Sequence, residues 1–148
     1  MTTTTFSDTD SRSSAKLAVA GAIAGLGGGL VFGILMGMMG MLPMVGMLIR
    51  VENAVAGFIV HMAISAFIGA TFGLIAGRLK ASRGSTILLG IAYGIVWWVL
   101  GALFLMPLLL GMNEMIFAIG QAQWMSLMGH LIYGIITALL FVPLVKRI

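Results

Sequence analysis

The chain has 148 residues, of which 61% are hydrophobic and only 8% are charged. A soluble domain carries about 25% charged residues, so the composition excludes a water-soluble globular protein and predicts an integral membrane protein. The sequence contains no cysteine, which excludes disulfide bonds, thiolate metal sites and cysteine nucleophiles. The net charge of +4 reflects membrane topology, as shown below, and does not indicate nucleic-acid binding.

Four apolar stretches are long enough to cross the ~30 Å hydrocarbon core of a bilayer, which takes about 20 helical residues. They follow a polar tail, residues 1–14, which is rich in Thr and Ser and is predicted to be cytoplasmic and disordered by itself. The remaining residues, 15–148, are predicted to form one all-α domain, a polytopic membrane four-helix bundle. Its helices are expected at about residues 17–42, 53–77, 86–110 and 124–145.

Small residues recur at every fourth position of three of these helices. Such rows let helix backbones approach closely in lipid, where hydrophobicity does not drive helices together. They predict tight helix packing, which is favoured over the alternative that they make room for a flat cofactor. The predicted packing residues are Gly21, Gly25, Gly29, Gly33 and Gly37 in the first helix, Ser65, Gly69 and Gly73 in the second, and Gly134 in the fourth.

Each of the second and fourth helices contains one histidine, His61 and His130. An ionisable residue inside a membrane helix is costly and invites a functional explanation. The favoured interpretation is a hydrogen bond across the bundle, with Ser65, Tyr133, Thr137 or a backbone carbonyl as the partner. The alternatives are ligation of haem iron, of a chlorophyll-type pigment or of Cu(I), and proton transfer by imidazole.

Methionine is concentrated in the half of the predicted bundle that contains the loops around residues 43–52 and 111–123. Thioether sulfur selects Cu(I), so Met39 and Met62 are candidate copper ligands together with His61 and His130. Methionine is also a flexible side chain that fills gaps beside glycine and aromatic residues. Packing, or an adaptable surface for a partner, is therefore the favoured interpretation.

The second and fourth helices align with one another at a common offset. His61 aligns with His130, Phe72 with Phe141, and Arg78 with Arg147. This pattern predicts that the bundle consists of two parallel two-helix repeats, related by an axis along the membrane normal.

The basic residues indicate the orientation of the chain. Seven of the eight fall on one side of the predicted membrane, and Arg50 is the exception. Basic residues in short loops remain in the cytoplasm, so both termini are predicted to be cytoplasmic. The seven are Arg12, Lys16, Arg78, Lys80, Arg83, Lys146 and Arg147.

Several phrases of the sequence resemble a family of small four-helix bacterial membrane proteins of unknown function. The resemblance covers nearly the whole chain except the N-terminal tail. It implies a bacterial inner-membrane protein with four spans, and it assigns no catalytic or binding residue. The phrases are GGLVFG (28–33), MMGMLPM (38–44), GIVWWVLG (94–101), MPLLLGM (106–112) and SLMGHLIYG (126–134).

No phosphate-binding loop, nucleophile–base pair or pair of carboxylates occurs in the sequence, so an enzyme is not expected. The leading hypothesis is an accessory or structural subunit that packs against a larger respiratory or photosynthetic membrane complex, or associates with itself. The alternative is a haem, pigment or Cu(I) binding module built on the two histidines. A small transporter or channel is a third hypothesis, although few intramembrane polar residues are available to line a path.

Overall fold

The computed structural model describes residues 6–79 and 82–147, with side chains from Ser14 onward, and this part of the chain contains helices and no strand. Four helices are long and apolar enough to span a membrane, which confirms the predicted number of spans. The α-helices are α1 (Phe6–Met38), α2 (Leu42–Gly46), α3 (Ala54–Leu79), α4 (Arg83–Trp97), α5 (Met106–Leu109) and α6 (Gln121–Val145).

The first helix differs from its predicted bounds at both ends. It begins at Phe6, inside the predicted polar tail, and residues 1–5 of that tail lie outside the described residues. It ends at Met38 because Gly40 adopts a left-handed conformation, with φ of 68°. The Met41 N–H then donates to the Met36 carbonyl, the bond that closes a Schellman C-cap. Residues 39–41, predicted as helix, therefore form a turn that leads into α2, which begins at Leu42.

The third span changes its helical type midway. After α4, a π-helical segment, Trp98–Leu105, runs into the short helix α5, so that the span extends over Arg83–Leu109. Pro107 has no N–H to donate to the Leu103 carbonyl. Phe117, from the loop that follows α5, donates its backbone N–H to that carbonyl at 2.9 Å. The loop is thereby held against the span.

The four spans are arranged as a row in the order α3, α1, α6, α4. Helix α1 packs against α3 on one side and α6 on the other, α6 also packs against α4, and α3 and α4 hardly touch. The glycine contacts show that neighbouring helices are antiparallel, because successive residues of α1 meet residues of α3 in descending order. The last turn of α3, the first turn of α4 and the last turn of α6 therefore lie at one end, called the basic end because Arg78, Arg83 and Lys146 are there. Glu52 and Glu114 lie in loops at the opposite end.

Two clusters of buried side chains fill the row. The cluster nearer the basic end combines alanines of α1, α3 and α6 with two phenylalanines. The cluster nearer the opposite end joins the central helices to α2. The first consists of Ala20, Ala24, Phe72, Ala76, Ala138 and Phe141, and the second of Phe32, Met36, Leu42, Val45 and Tyr133.

Candidate functional site

Close backbone contact between helices brings the histidines into the protein interior. A β-carbon added to Gly25 would lie 2.6 Å from the Gly69 Cα, and one added to Gly73 would lie 2.8 Å from the Gly21 Cα. Both distances are shorter than real β-carbon contacts, so only glycine allows α1 and α3 to approach this closely. Because the helices touch, a polar side chain on one can reach the backbone of the other.

The predicted packing residues lie at helix contacts, with one exception. Those of α1 and α3 face one another, and Gly134 of α6 meets Gly90 of α4. Gly37 meets only a side-chain methyl group of Leu42, at ordinary contact distance, and so does not contribute to packing between spans. Gly28, which is not among the predicted packing residues, faces Tyr133 and Thr137 of α6. Gly27 and Gly28 break the four-residue spacing of the row, which is the signal that α1 has a second small face.

His61 is buried on α3 and bonds to the neighbouring helix. Its Nε2 lies 2.9 Å from the Gly29 carbonyl oxygen of α1 and 3.5 Å from the Ser65 Oγ. A carbonyl oxygen only accepts, so Nε2 carries the proton and donates it to Gly29. The hydrogen bond that the sequence predicts across the bundle is therefore present in the structure, with a backbone carbonyl as the acceptor.

His130 is half-buried on α6 and bonds within its own helix. Its Nδ1 lies 2.8 Å from the Ser126 carbonyl oxygen, to which it donates, and 3.4 Å from the Ser126 Oγ. The two histidines therefore have different environments, one tied to a neighbouring helix and the other to the preceding turn. Each bond fixes which nitrogen carries the proton of the neutral ring, and the other nitrogen of that ring is then unprotonated.

The ring of Phe32 from α1 contacts both imidazoles. Its centroid lies 5.2 Å from that of His61 and 4.9 Å from that of His130, with edge-to-face geometry in both pairs. Gly129 makes room for this ring, because a β-carbon there would overlap it. We call His61, Phe32 and His130 the histidine layer. Phe32 is not among the site residues predicted from the sequence, since no sequence signal marks an aromatic residue that contacts two histidines.

The other predicted hydrogen-bonding residues have distinct roles. The Tyr133 hydroxyl donates to the Ser65 carbonyl oxygen at 2.8 Å and so joins α6 to α3. The Thr137 Oγ1 is buried and finds no hydrogen-bond partner among the described residues. The hydroxyl of Tyr93 of α4, a residue not predicted to have a hydrogen-bonding role, donates to the Ile68 carbonyl oxygen of α3 at 2.8 Å. This bond is one of the few links between α3 and α4.

The geometry does not favour a shared ligand for the histidines. The Phe32 ring packs against both imidazoles, and the Nε2 proton of His61 already points at a carbonyl, so neither contact is directed at a common ligand. Among the described residues, no three His, Asp or Glu side chains form a group that could hold a metal ion. Ligation by His61 and His130 stays a prediction that no contact in the structure supports.

The two candidate methionines are not equivalent. Met62 Sδ lies beside Gly29, close to His61, since a β-carbon on Gly29 would lie 3.7 Å from it. Met39 follows the end of α1, ten residues beyond Gly29, which corresponds to about 15 Å of helix. It is therefore too far along α1 to join His61 and Met62 around one copper ion.

Comparison with known proteins identifies no relative. No family model matches the sequence, and no curated protein or solved structure matches it significantly. The resemblance to four-helix bacterial membrane proteins is therefore supported only in its count of apolar helices.

Proposed function

We propose that this protein is a non-enzymatic integral membrane subunit, and that it packs against a transmembrane helix of another membrane protein through α4. The observation that carries the proposal is an apolar groove of about 490 Å³ on the outside of the third span. We call it the α4 groove. It is lined by Ile95, Val96, Val99, Leu100, Phe104 and Phe117.

The third span, Arg83–Leu109, which begins with α4, is the least buried of the four spans. It is at the end of the row and packs mainly against α6, whereas α1 is enclosed by two helices. Val96 is 54% exposed and Phe117 is 57% exposed, so the walls of the groove face outward. Helix α4 consequently has room for a second neighbour.

The α4 groove is recessed, and a recess receives a neighbouring helix better than a flat surface does. The π-helical segment widens the helix here, and such segments often occur at functional sites. Phe104 and Phe117 stack with centroids 5.9 Å apart and form one wall. In lipid, helices associate through shape and close packing because apolar surface alone gives no preference. A preformed recess supplies that shape.

The missing side chain of Gly101 supports this proposal. A β-carbon on Gly101 would meet only the ring of Trp97, at 3.7 Å, whereas one on Gly90 or Gly94 would collide with α6. The glycines of the third span therefore serve two purposes. Gly90 and Gly94 admit α6, and Gly101, in the π-helical segment, leaves small-residue surface that no other helix among the described residues contacts.

The same proposal includes a setting and an orientation. We place the chain in the bacterial inner membrane, as an accessory subunit of a respiratory or photosynthetic complex, with both termini in the cytoplasm. The basic end of the bundle supports this orientation. The partner is described by its chemistry alone, an apolar membrane-spanning helix.

The proposed duplication has partial support. Phe72 and Phe141, which align in the two repeats, contact each other with centroids 5.8 Å apart, and the aligned histidines share Phe32. A two-fold axis along the membrane normal would also relate the α1–α6 contact to a matching α4–α3 contact. The first is extensive and the second is slight. Any ancestral symmetry is therefore distorted in the present bundle.

Cross-linking tests the proposal cleanly because the chain has no native cysteine. A Val99→Cys variant, carrying a benzophenone attached to the thiol, is expected to cross-link in native membranes to an apolar span of another protein. Ile64→Cys is the matched control, because Ile64 is 37% exposed on α3 and Val99 is 39% exposed. Mass spectrometry of the adduct identifies the cross-linked peptide of the partner. The partner protein is also expected to co-purify with this chain in mild detergent.

Three outcomes would contradict the proposal. Adducts with lipid alone would show that the α4 groove faces the bilayer. Adducts between two copies of this chain would indicate self-association in place of an accessory role. Equal cross-linking from Val99→Cys and Ile64→Cys would show that the contacts are nonspecific.

A further inference from the structure

A second groove, at the basic end of the bundle, has a different character. It has a volume of about 530 Å³ and lies where the ends of α3 and α6 meet the beginning of α4. It exists because α3 and α4 hardly touch, which leaves a gap beside the last turns of α6. We call it the basic groove. Its lining includes Ser82, Arg83, Thr86, Leu139, Val142 and Lys146.

Two cations line the basic groove, one on α4 and one at the end of α6. Arg83 is the first residue of α4, and Lys146 follows directly after α6. Both residues are therefore at the boundary of their spans, at the depth where lipid phosphates lie. The hydroxyls of Thr86 and Ser82 are bonded within the first turn of α4. The two cations and the positive end of the α4 dipole make this part of the basic groove electrically positive.

The rest of the basic groove is apolar. Leu139 and Val142 of α6 line it on the side towards the membrane centre. Among the described residues no carboxylate lines this groove, and Glu52 and Glu114 are in loops at the opposite end. A ligand of this groove is expected to have a negative head and an apolar tail, because a free anion would leave the apolar wall uncovered.

We propose that the basic groove binds one anionic phospholipid, with its phosphate between Arg83 and Lys146 and an acyl chain along Leu139 and Val142. Arginine binds phosphate oxygens with two parallel hydrogen bonds, and lysine adds a point charge. The proposal does not rest on the α4 groove, which lies on a different part of the surface, so the two can fail separately.

Native mass spectrometry of the purified full-length protein tests the proposal. The protein is titrated with phosphatidylglycerol and, separately, with the zwitterionic lipid phosphatidylcholine. We expect it to retain one molecule of phosphatidylglycerol at a lower lipid concentration than one molecule of phosphatidylcholine. The double variant Arg83→Gln, Lys146→Gln is expected to weaken that binding about thirtyfold, because each basic side chain near a lipid surface contributes a factor of about five.

The matched control is Arg78→Gln, Arg147→Gln, which removes the same charge from the same end but does not alter the lining of the basic groove. It is expected to keep the affinity for phosphatidylglycerol. Equal losses in the two double variants would overturn the site in favour of diffuse surface charge. Equal binding of the two lipids by the unaltered protein would also overturn it.

Two measurements on the unaltered protein complete the test and do not depend on any variant folding. Inorganic phosphate is added to the lipid-bound protein, and displacement at a concentration comparable to that of the lipid would show a soluble-anion site instead. A phosphatidylglycerol with a photoactivatable acyl chain is expected to label the α6 peptide that contains Leu139 and Val142. Labelling confined to other spans would exclude the proposed position of the chain.

Discussion

At the scale of single residues, the histidines illustrate how a costly side chain is accommodated in a membrane protein. His61 donates to a carbonyl that already accepts a helical bond, and a carbonyl oxygen has two lone pairs available. His130 uses a carbonyl of its own helix in the same way. Phe32 then packs against both rings. These contacts give both imidazoles a structural role that needs no ligand.

A double variant tests this role at the residue scale. His61→Gln, His130→Gln retains a side-chain N–H donor but removes the imidazole ligands. We expect it to fold and elute like the unaltered protein, with stability reduced by about 1–3 kcal/mol, because each of the two lost edge contacts with Phe32 contributes about 0.5–1.5 kcal/mol.

An absorption spectrum and a metal analysis of the same chromatographic peak are the measurements that decide this. A Soret or pigment band, or near-stoichiometric copper, that is present in the unaltered protein and lost in the variant would establish a ligand role. That result would replace the structural interpretation of the histidine layer.

At the scale of helices, glycine determines which elements can meet. The α1–α3 contact depends on glycine on both sides, with backbone against backbone, and α4 and α6 repeat this arrangement at Gly90 and Gly134. Dispersion at such short separation replaces the hydrophobic effect, which does not act between helices in lipid. The position of each span in the row is therefore decided by small residues more than by large ones.

Two alanine substitutions test this conclusion. Gly25→Ala would place a β-carbon 2.6 Å from the Gly69 Cα and 2.9 Å from the Tyr133 hydroxyl. We expect a loss of about 1–3 kcal/mol from overpacking. Gly101→Ala is the control, because its β-carbon meets only Trp97 at an ordinary contact distance, and its effect should be below about 1 kcal/mol. Thermal unfolding in detergent, followed by circular dichroism, compares them, and equal effects would refute the packing argument.

At the scale of the whole molecule, charge and architecture agree. The residues at the basic end include Arg78 and Arg83, and four spans return the chain to the side where it began. The opposite end carries Glu52, Glu114 and a single arginine. The charge of the bundle is therefore distributed unevenly between its two ends, and the basic end suits an anionic membrane surface.

Labelling with a membrane-impermeant maleimide tests the orientation. Gly84→Cys, in the first turn of α4, and Asn113→Cys, in the segment between α5 and α6, place single thiols at exposed positions at opposite ends of the bundle. In intact cells we expect Asn113→Cys to react at once and Gly84→Cys to react only after permeabilisation, because basic loops are retained in the cytoplasm. The reverse pattern would invert the proposed topology, and labelling of both would argue against four spans.

The sequence by itself determined the helical class and the number of spans. It favoured a hydrogen bond across the bundle for both histidines, which the structure shows for His61, whereas His130 bonds within its own helix. Apolar length and the spacing of small residues are local properties, so they can be read along the chain. Only the tertiary structure decided the order of the helices in the row, the insertion of Phe32 between the histidines, and the isolation of Met39 from the candidate copper site. These depend on contacts between residues far apart in sequence, whose geometry no local pattern records. The α4 groove and the basic groove are likewise decided only by the tertiary structure, because both arise where α4 lacks a second neighbouring helix.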